Sequence, residues 1–342
     1  MPFSQSSLHL TIDSDYPIIK MSFKGGTVME IVTTMCKLFL CMGIGFYLYK
    51  KKIFSLETNA KVSTLLVQFG VPCIVLNSVA SVPHDNPQLV LKIFFAGIIA
   101  YGIFVLIGYV FTGILRVPKY LKGTYICMLV FANSAFMGYP VGQAMFGDIA
   151  IFYITIFNMP FNVLFFSLGM HYFRKDNALE AQTGKSERPK PTLREIFNGG
   201  LLSSIAAMII YFADIPMPQL FYSCVGFVGG IVTPLSMIII GSSLGALSFR
   251  EILKEKGVWP MLPMRLAVIP LIVWFFMHLF TDDPAIIAMC TISAGMPVGS
   301  ITVMGSSGQP RQNQTAAVGV AVSTICSMIS IPIMIVLLNQ TL

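Results

Sequence analysis

Hydrophobic positions in this chain do not alternate with polar ones; they run on in long blocks. Ten nearly continuous apolar stretches follow one another at about 28–49, 63–82, 89–115, 123–147, 150–172, 196–213, 219–248, 257–280, 284–304 and 315–338. Roughly 20 apolar residues carry a helix across a bilayer, so the pattern predicts ten transmembrane helices. A membrane barrel would need lipid-facing and lumen-facing residues to alternate along each strand, and these blocks do not. Continuous helices satisfy their own backbone amides in hydrocarbon. The expected class is an all-α polytopic membrane protein.

Two of the blocks are interrupted by one phrase. Gly138-Tyr139-Pro140-Val141-Gly142 breaks the fourth, and Gly295-Met296-Pro297-Val298-Gly299 breaks the ninth, 157 residues later. A second proline pair, Pro72 in the second block and Pro234 in the seventh, is 162 residues apart. Nearly equal offsets divide the chain into two five-span repeats, and an odd number of spans per half makes the repeats inverted. The expected boundaries are an extracytoplasmic N-terminal tail at 1–27, a first repeat at 28–172, a cytoplasmic loop at 173–195 and a second repeat at 196–342. The tail has neither the apolar core nor the small-residue cleavage site of a signal peptide. The polar run 305–315 is expected to connect the ninth and tenth spans as a longer cytoplasmic loop.

Composition agrees with this reading. The chain has 342 residues, of which 55% are hydrophobic and 11% charged, with a mean hydropathy of +0.78; soluble domains carry about 25% charged residues. The net charge of +7 records topology rather than a nucleic-acid partner. Of 22 Lys and Arg, 18 fall in or beside alternate loops, counting Arg265 among them. By the positive-inside rule those loops are cytoplasmic, which places both termini outside. The seven cysteines all lie in apolar blocks without metal-ligand spacing and are expected to be small buried apolar residues. No HExxH, GxSxG or P-loop is present, so neither an enzyme, a cofactor nor a metal centre is expected.

A proline removes a backbone N–H, and neighbouring glycines lower the cost of unwinding. Unwound backbone at membrane depth is tolerated when it is buried in protein or lines a cavity, so both interruptions should face inward. A Gly/Pro break at matching places in two halves is a pointer to a transporter's binding site. Half-helix N-termini converging there would attract a carboxylate without any arginine. The candidate hinges are Gly138, Pro140, Gly295 and Pro297. The candidate substrate contacts are Asn133, Pro140, Val141, Gly142 and Gln143 in the first half, with Ser293, Pro297, Val298, Gly299 and Ser300 in the second. Lys37, a charge inside the first block, is a further candidate by default, although Glu30 sits seven residues earlier on the same face.

The segments GFYLYKKKIFSLETNAKVSTLLVQFGVPCIVLNSVASV, ANSAFMGYPVG, TPLSMIIIGSSLG and SAGMPVG, in this order, resemble the auxin efflux carrier family, which includes the plant PIN carriers and bacterial organic-acid permeases. The resemblance implies a ten-helix, 5+5 inverted-repeat fold of the NhaA or bile-acid-transporter kind, with two crossing helices broken at Pro140 and Pro297. It implies an elevator motion against a scaffold of spans one, two, six and seven, and it matches the family's substrate-contacting asparagine to Asn133. The implied cargo is a small organic anion, malate-like or another carboxylate, and a homodimer is expected by analogy alone. The chain departs in lacking the large cytoplasmic loop of long PIN carriers, in carrying Ser293 where plant members carry an amide, and in its N-terminal extension. Two other readings stay open: a Na⁺- or H⁺-coupled symporter of the bile-acid transporter type, and a non-transporting membrane sensor or scaffold.

Overall fold

The computed structural model describes residues 28–180, 197–246, 248–306 and 310–341; the N-terminal tail and most of the central loop lie outside them. The described residues are almost wholly helical, with no strand among them. In chain order the helices are α1 (Val28–Lys50), α2 (Leu56–Ser81), α3 (Pro87–Ile114), α4 (Lys122–Val130), α5 (134–146), α6 (Asp148–Phe157), α7 (Met159–Glu180), α8 (Gly199–Phe212), α9 (Gln219–Ala246), α10 (Phe249–Lys254), α11 (Val258–Met277), α12 (Pro284–Ala294), α13 (Ile301–Ser306) and α14 (Pro310–Thr341).

Five of these, α2, α3, α9, α11 and α14, are long and apolar enough to cross a bilayer unaided. A sixth is formed if α6 and α7, bent by 44°, are taken as one span, while α8 and α12 are apolar but shorter. Large apolar side chains cover the outside: Phe227 is 87% exposed and Leu279 75%. Lipid tolerates such a surface and water does not. Cys127 and Cys290 are buried as expected, but Cys36 and Cys224 are exposed on this outer surface.

Helix starts follow from local chemistry. Ser55, Asn86 and Asn198 accept from the amides of Thr58, Leu89 and Leu201, satisfying N–H groups that a first turn leaves unpaired. Asp283 does the same for Ala285 and Ile286, with Pro284 at the first helical position. Gly147, at φ 76°, makes the tight turn between α5 and α6. Three of the helix prolines are accommodated by wide π turns. Leu66–Gly70, Ser134–Gly138 and Met264–Val268 each end two residues before Pro72, Pro140 and Pro270. The wider turn moves the carbonyl that the pyrrolidine ring would strike.

Two groups of helices emerge from the packing. α1 lies along the second part of α9, and α2 packs on α8 and α9. A Cβ on Gly45 would collide with the Ile238 carbonyl, and one on Gly241 with the Met42 carbonyl, so the α1–α9 contact is backbone against backbone. The remaining long helices form the other group, with α3 against α4 and α6, and α11 against α12.

Two expected loops are partly helical. α7 continues to Glu180, eight residues into the loop predicted from 173, because Asp176 turns inward. It is 2% exposed and accepts from the Gly123 and Thr124 amides and the Thr124 hydroxyl, capping α4, which has no cap of its own. Likewise α14 begins at Pro310, within the polar run 305–315. There Arg311 is paired to the buried Glu255 carboxylate and Thr315 Oγ1 donates to it at 3.3 Å.

Candidate functional site

The interrupted segments meet. Ala132 and Val298 face each other in an isolated antiparallel bridge. The Asn133 N–H donates to the Pro297 carbonyl at 2.9 Å and the Gly299 N–H to the Phe131 carbonyl at 2.8 Å. The Val298 N–H is taken by Ser323 Oγ of α14 at 3.0 Å. Extended backbone inside an apolar bundle is thus paired, as burial demands. On one side of the crossing α4 ends and α5 begins; on the other α12 ends and α13 begins. A Cβ at Gly299 would lie 2.9 Å from the Ala132 oxygen and 3.0 Å from that of Phe131, so the approach requires glycine.

The two copies of the repeated phrase are not placed alike. Pro297, Val298 and Gly299 form the extended segment in the second half, with Gly295 just before it at the end of α12. In the first half the unwound residues are Phe131, Ala132 and Asn133, upstream of the phrase. Gly138, Pro140, Val141, Gly142 and Gln143 are helical. The expected hinge at Pro140 is therefore corrected: the π turn Ser134–Gly138 absorbs the proline, and Val141 and Gly142 pack in the core, Gly142 against Ile154.

Around the crossing sits a polar cluster. Asn158, at the bend between α6 and α7, donates from Nδ2 to Ser293 Oγ at 2.6 Å and to the Ile154 carbonyl at 2.7 Å. Its Oδ1 accepts from the Tyr101 hydroxyl at 2.7 Å and from Ser134 Oγ at 3.3 Å, and Ser293 Oγ lies 3.5 Å from Ser134 Oγ. Asn133 is 6% exposed, and its side-chain Nδ2 has no partner among the described residues. Ser293 and Asn133 therefore belong to one neighbourhood, and Ser300 lies half-buried just before α13.

Other candidates lie elsewhere. Gln143 donates to Asp148 Oδ1 at 2.7 Å and accepts from Thr233 Oγ1 at 3.1 Å, while Asn77 donates to Asp148 Oδ2 at 3.1 Å. This network joins α5 and α6 to α2 and α9, across the seam between the two helix groups. Lys37 is exposed on α1. An apolar groove of about 480 Å³, lined by Ile103, Leu271 and Phe275 among others, opens on the outer surface of α3 and α11 and offers no polar group to an anion.

Sequence reasoning missed two residues here. Asn158 is followed by Met159-Pro160, a polar residue and a proline in an apolar block, which was a readable signal for a bend. Arg265, which charge patterning counts with the cytoplasmic loops, is the other. It is fully buried in α11 and its Nη1 donates to the Leu129 carbonyl at 3.0 Å. Its signal was a lone cation inside the apolar block 257–280.

A lipid-coated helical bundle whose interrupted helices meet in a polar, enclosed crossing defines a membrane protein built to move solutes. The family model for membrane transport proteins, the auxin efflux carrier family, matches residues 30–335, and the chain belongs to that family. No curated protein is similar enough to match.

Proposed function

We propose that this membrane transport protein is a secondary carrier of small organic anions that works by alternating access. The observation that carries the reading is the Ala132–Val298 bridge, which brings two interrupted helices together beside buried polar groups. The α5 N-terminus at this crossing offers first-turn amides and the positive end of a helix dipole, worth about 0.3–1 kcal/mol to an anion and more when buried. The unpartnered Asn133 amide adds a donor suited to a carboxylate.

On this reading ten spans form two inverted five-span repeats, with α4–α5 and α12–α13 as the crossing spans and both termini extracytoplasmic. The group α1, α2, α8 and α9 is the fixed scaffold, favoured by its glycine-mediated backbone contacts. The other group moves as a block and carries the crossing with it, in an elevator motion. Asn133, Ser134, Asn158 and Ser293 contact the cargo; Pro297, Val298 and Gly299 shape the site with their backbone.

Uptake of labelled malate, succinate, benzoate and indole-3-acetate into proteoliposomes tests this. Flux down the acid's own gradient, with Na⁺ and pH equal on both sides, is expected. Flux that requires a Na⁺ or H⁺ gradient would replace uniport by symport, and no flux for any acid would favour a sensor.

A further inference from the structure

Arg265 is a cation sealed inside the bundle. It has no measurable solvent exposure, and no described carboxylate pairs with it. A buried, unpaired charge is strongly unfavourable unless something neutralises it. The Leu129 carbonyl, one residue before the end of α4, supplies a partial negative charge and takes one N–H from Nη1. That bond leaves the rest of the guanidinium unused: Nε and Nη2 are both buried and without partners among the described residues.

The unused pair has a definite shape. Nε–H and Nη2–H lie side by side on one edge of the planar guanidinium and point the same way, the geometry that receives both oxygens of one carboxylate. Anchoring Nη1 on Leu129 fixes the rotation of the group, so the fork is held ready. A cap for a helix C-terminus would need one N–H, and a lysine would serve as well; a planar edge with two parallel donors is suited to an anion.

Its position suits the crossing. Leu129 lies four residues before Asn133, whose side-chain Nδ2 is likewise unpartnered among the described residues, and Thr291 Oγ1, four residues before Gly295, is a further buried polar atom without a partner among them. Arg265 lies within electrostatic reach of Tyr101, whose hydroxyl donates to Asn158. On the same helix Pro270 Cβ lies 3.3 Å from where a Cβ of Gly295 would stand, a place crowded chiefly by Met334. The guanidinium thus touches α4 at the Leu129 carbonyl and reaches the Asn158 cluster through Tyr101 of α3.

We propose that Arg265 is the carboxylate-binding residue of the carrier, receiving one carboxylate of the transported acid on its Nε–Nη2 edge while Nη1 stays on the Leu129 carbonyl. The assignment rests on the organic-anion reading above and sharpens it. Planar carboxylates are selected over neutral amides of the same shape, and the bound anion neutralises a charge that is otherwise uncompensated.

The test uses full-length protein in proteoliposomes and in detergent, with whichever of malate, succinate, benzoate and indole-3-acetate gives the largest wild-type flux. Arg265→Lys keeps the charge and loses the fork, so affinity should fall about 10–100-fold, as expected for losing a bidentate pair worth ~1.4–2.8 kcal/mol. Arg265→Ala should fall further and regain binding with millimolar guanidinium. The carboxamide of the same acid should not compete in the wild type. In unmutated protein, phenylglyoxal should modify Arg265 during turnover, and the acid should slow this at least fivefold. Unchanged affinity in an Arg265→Lys protein of wild-type melting temperature overturns the assignment. So does an Arg265 that the acid does not protect, or that stays unmodified during active transport. If the variants fail to fold, the phenylglyoxal result alone decides. Absence of wild-type flux for all four acids would instead sink the organic-anion reading itself.

Discussion

Asn158 donates to Ser293 at 2.6 Å, tying the bend between α6 and α7 to the last turn of α12. The same amide holds Tyr101 and Ser134 through its oxygen, so one side chain keeps four elements in register. Asn158→Ala leaves the Ser293 and Tyr101 hydroxyls and the Ser134 Oγ without this partner in an enclosed site, at about 1–3 kcal/mol. We expect flux to drop at least tenfold at matched protein level, with a melting temperature lowered by a few degrees. Asn158→Asp places a negative charge against the proposed cargo and should abolish organic-anion uptake. Wild-type flux in both variants would remove Asn158 from the site.

The crossing also predicts a contrast between the two repeated phrases. Gly299→Ala inserts a methyl 2.9 Å from the Ala132 carbonyl oxygen and 3.0 Å from that of Phe131, which accepts a bridge hydrogen bond, and the backbone must part to admit it. Transport should be lost in Gly299→Ala and strongly reduced in Pro297→Ala. Pro140→Ala, which sits in a continuous helix after a π turn, should retain most of its flux and change stability by less than about 1 kcal/mol, as a proline already accommodated by its turn allows. Equal losses at Pro140 and Pro297 would contradict the placement of the first interruption upstream at Phe131–Asn133.

The sequence made the class of fold legible because lipid imposes a coarse rule: long apolar runs must be helices. The candidate residues Asn133, Ser293 and Pro297–Gly299, far apart in the sequence, gather at one crossing. The sequence misplaced the first break because two copies of a phrase suggested two equivalent structures. Proline in a helix has more than one solution, and a π turn is one of them; the residues that actually unwind, Phe131-Ala132-Asn133, carry neither proline nor glycine. Their extension is matched to the extended segment Pro297–Gly299, a tertiary contact that no local pattern encodes. Arg265 escaped for a related reason. Charge counting treats an arginine near the end of an apolar block as part of a loop, and only the Leu129 carbonyl beside it shows that it turns inward.

If the two helix groups move against each other, the Asn77–Asp148–Gln143–Thr233 network must open on each cycle, because it spans the seam. In a background without native cysteines, Asn77→Cys with Asp148→Cys should form a disulfide under mild oxidation. Flux should stop when it forms and return on reduction. Undiminished flux in the fully oxidised protein would rule out relative motion at this seam.

Glu255 offers a last test, at the opposite end of chemistry from the crossing. Its carboxylate is 2% exposed and paired to Arg311, with Arg311 Nη2 donating to Oε2 at 3.1 Å and Thr315 Oγ1 accompanying it. The Arg311 amide also donates to Glu180 Oε1 at 3.3 Å. The pair therefore joins the end of α7, the segment before α11 and the start of α14. Arg311→Ala strands the buried carboxylate, and removing one member of a buried pair is unfavourable by about 3–5 kcal/mol, less here because Arg311 is 43% exposed. Glu255→Gln leaves only a half-exposed arginine unpaired and should be milder. The double variant, Arg311→Ala with Glu255→Gln, should recover most of the stability lost in Arg311→Ala. Thermal unfolding of the three detergent-purified proteins checks the order. Strictly additive losses would show that the two residues do not act as a pair.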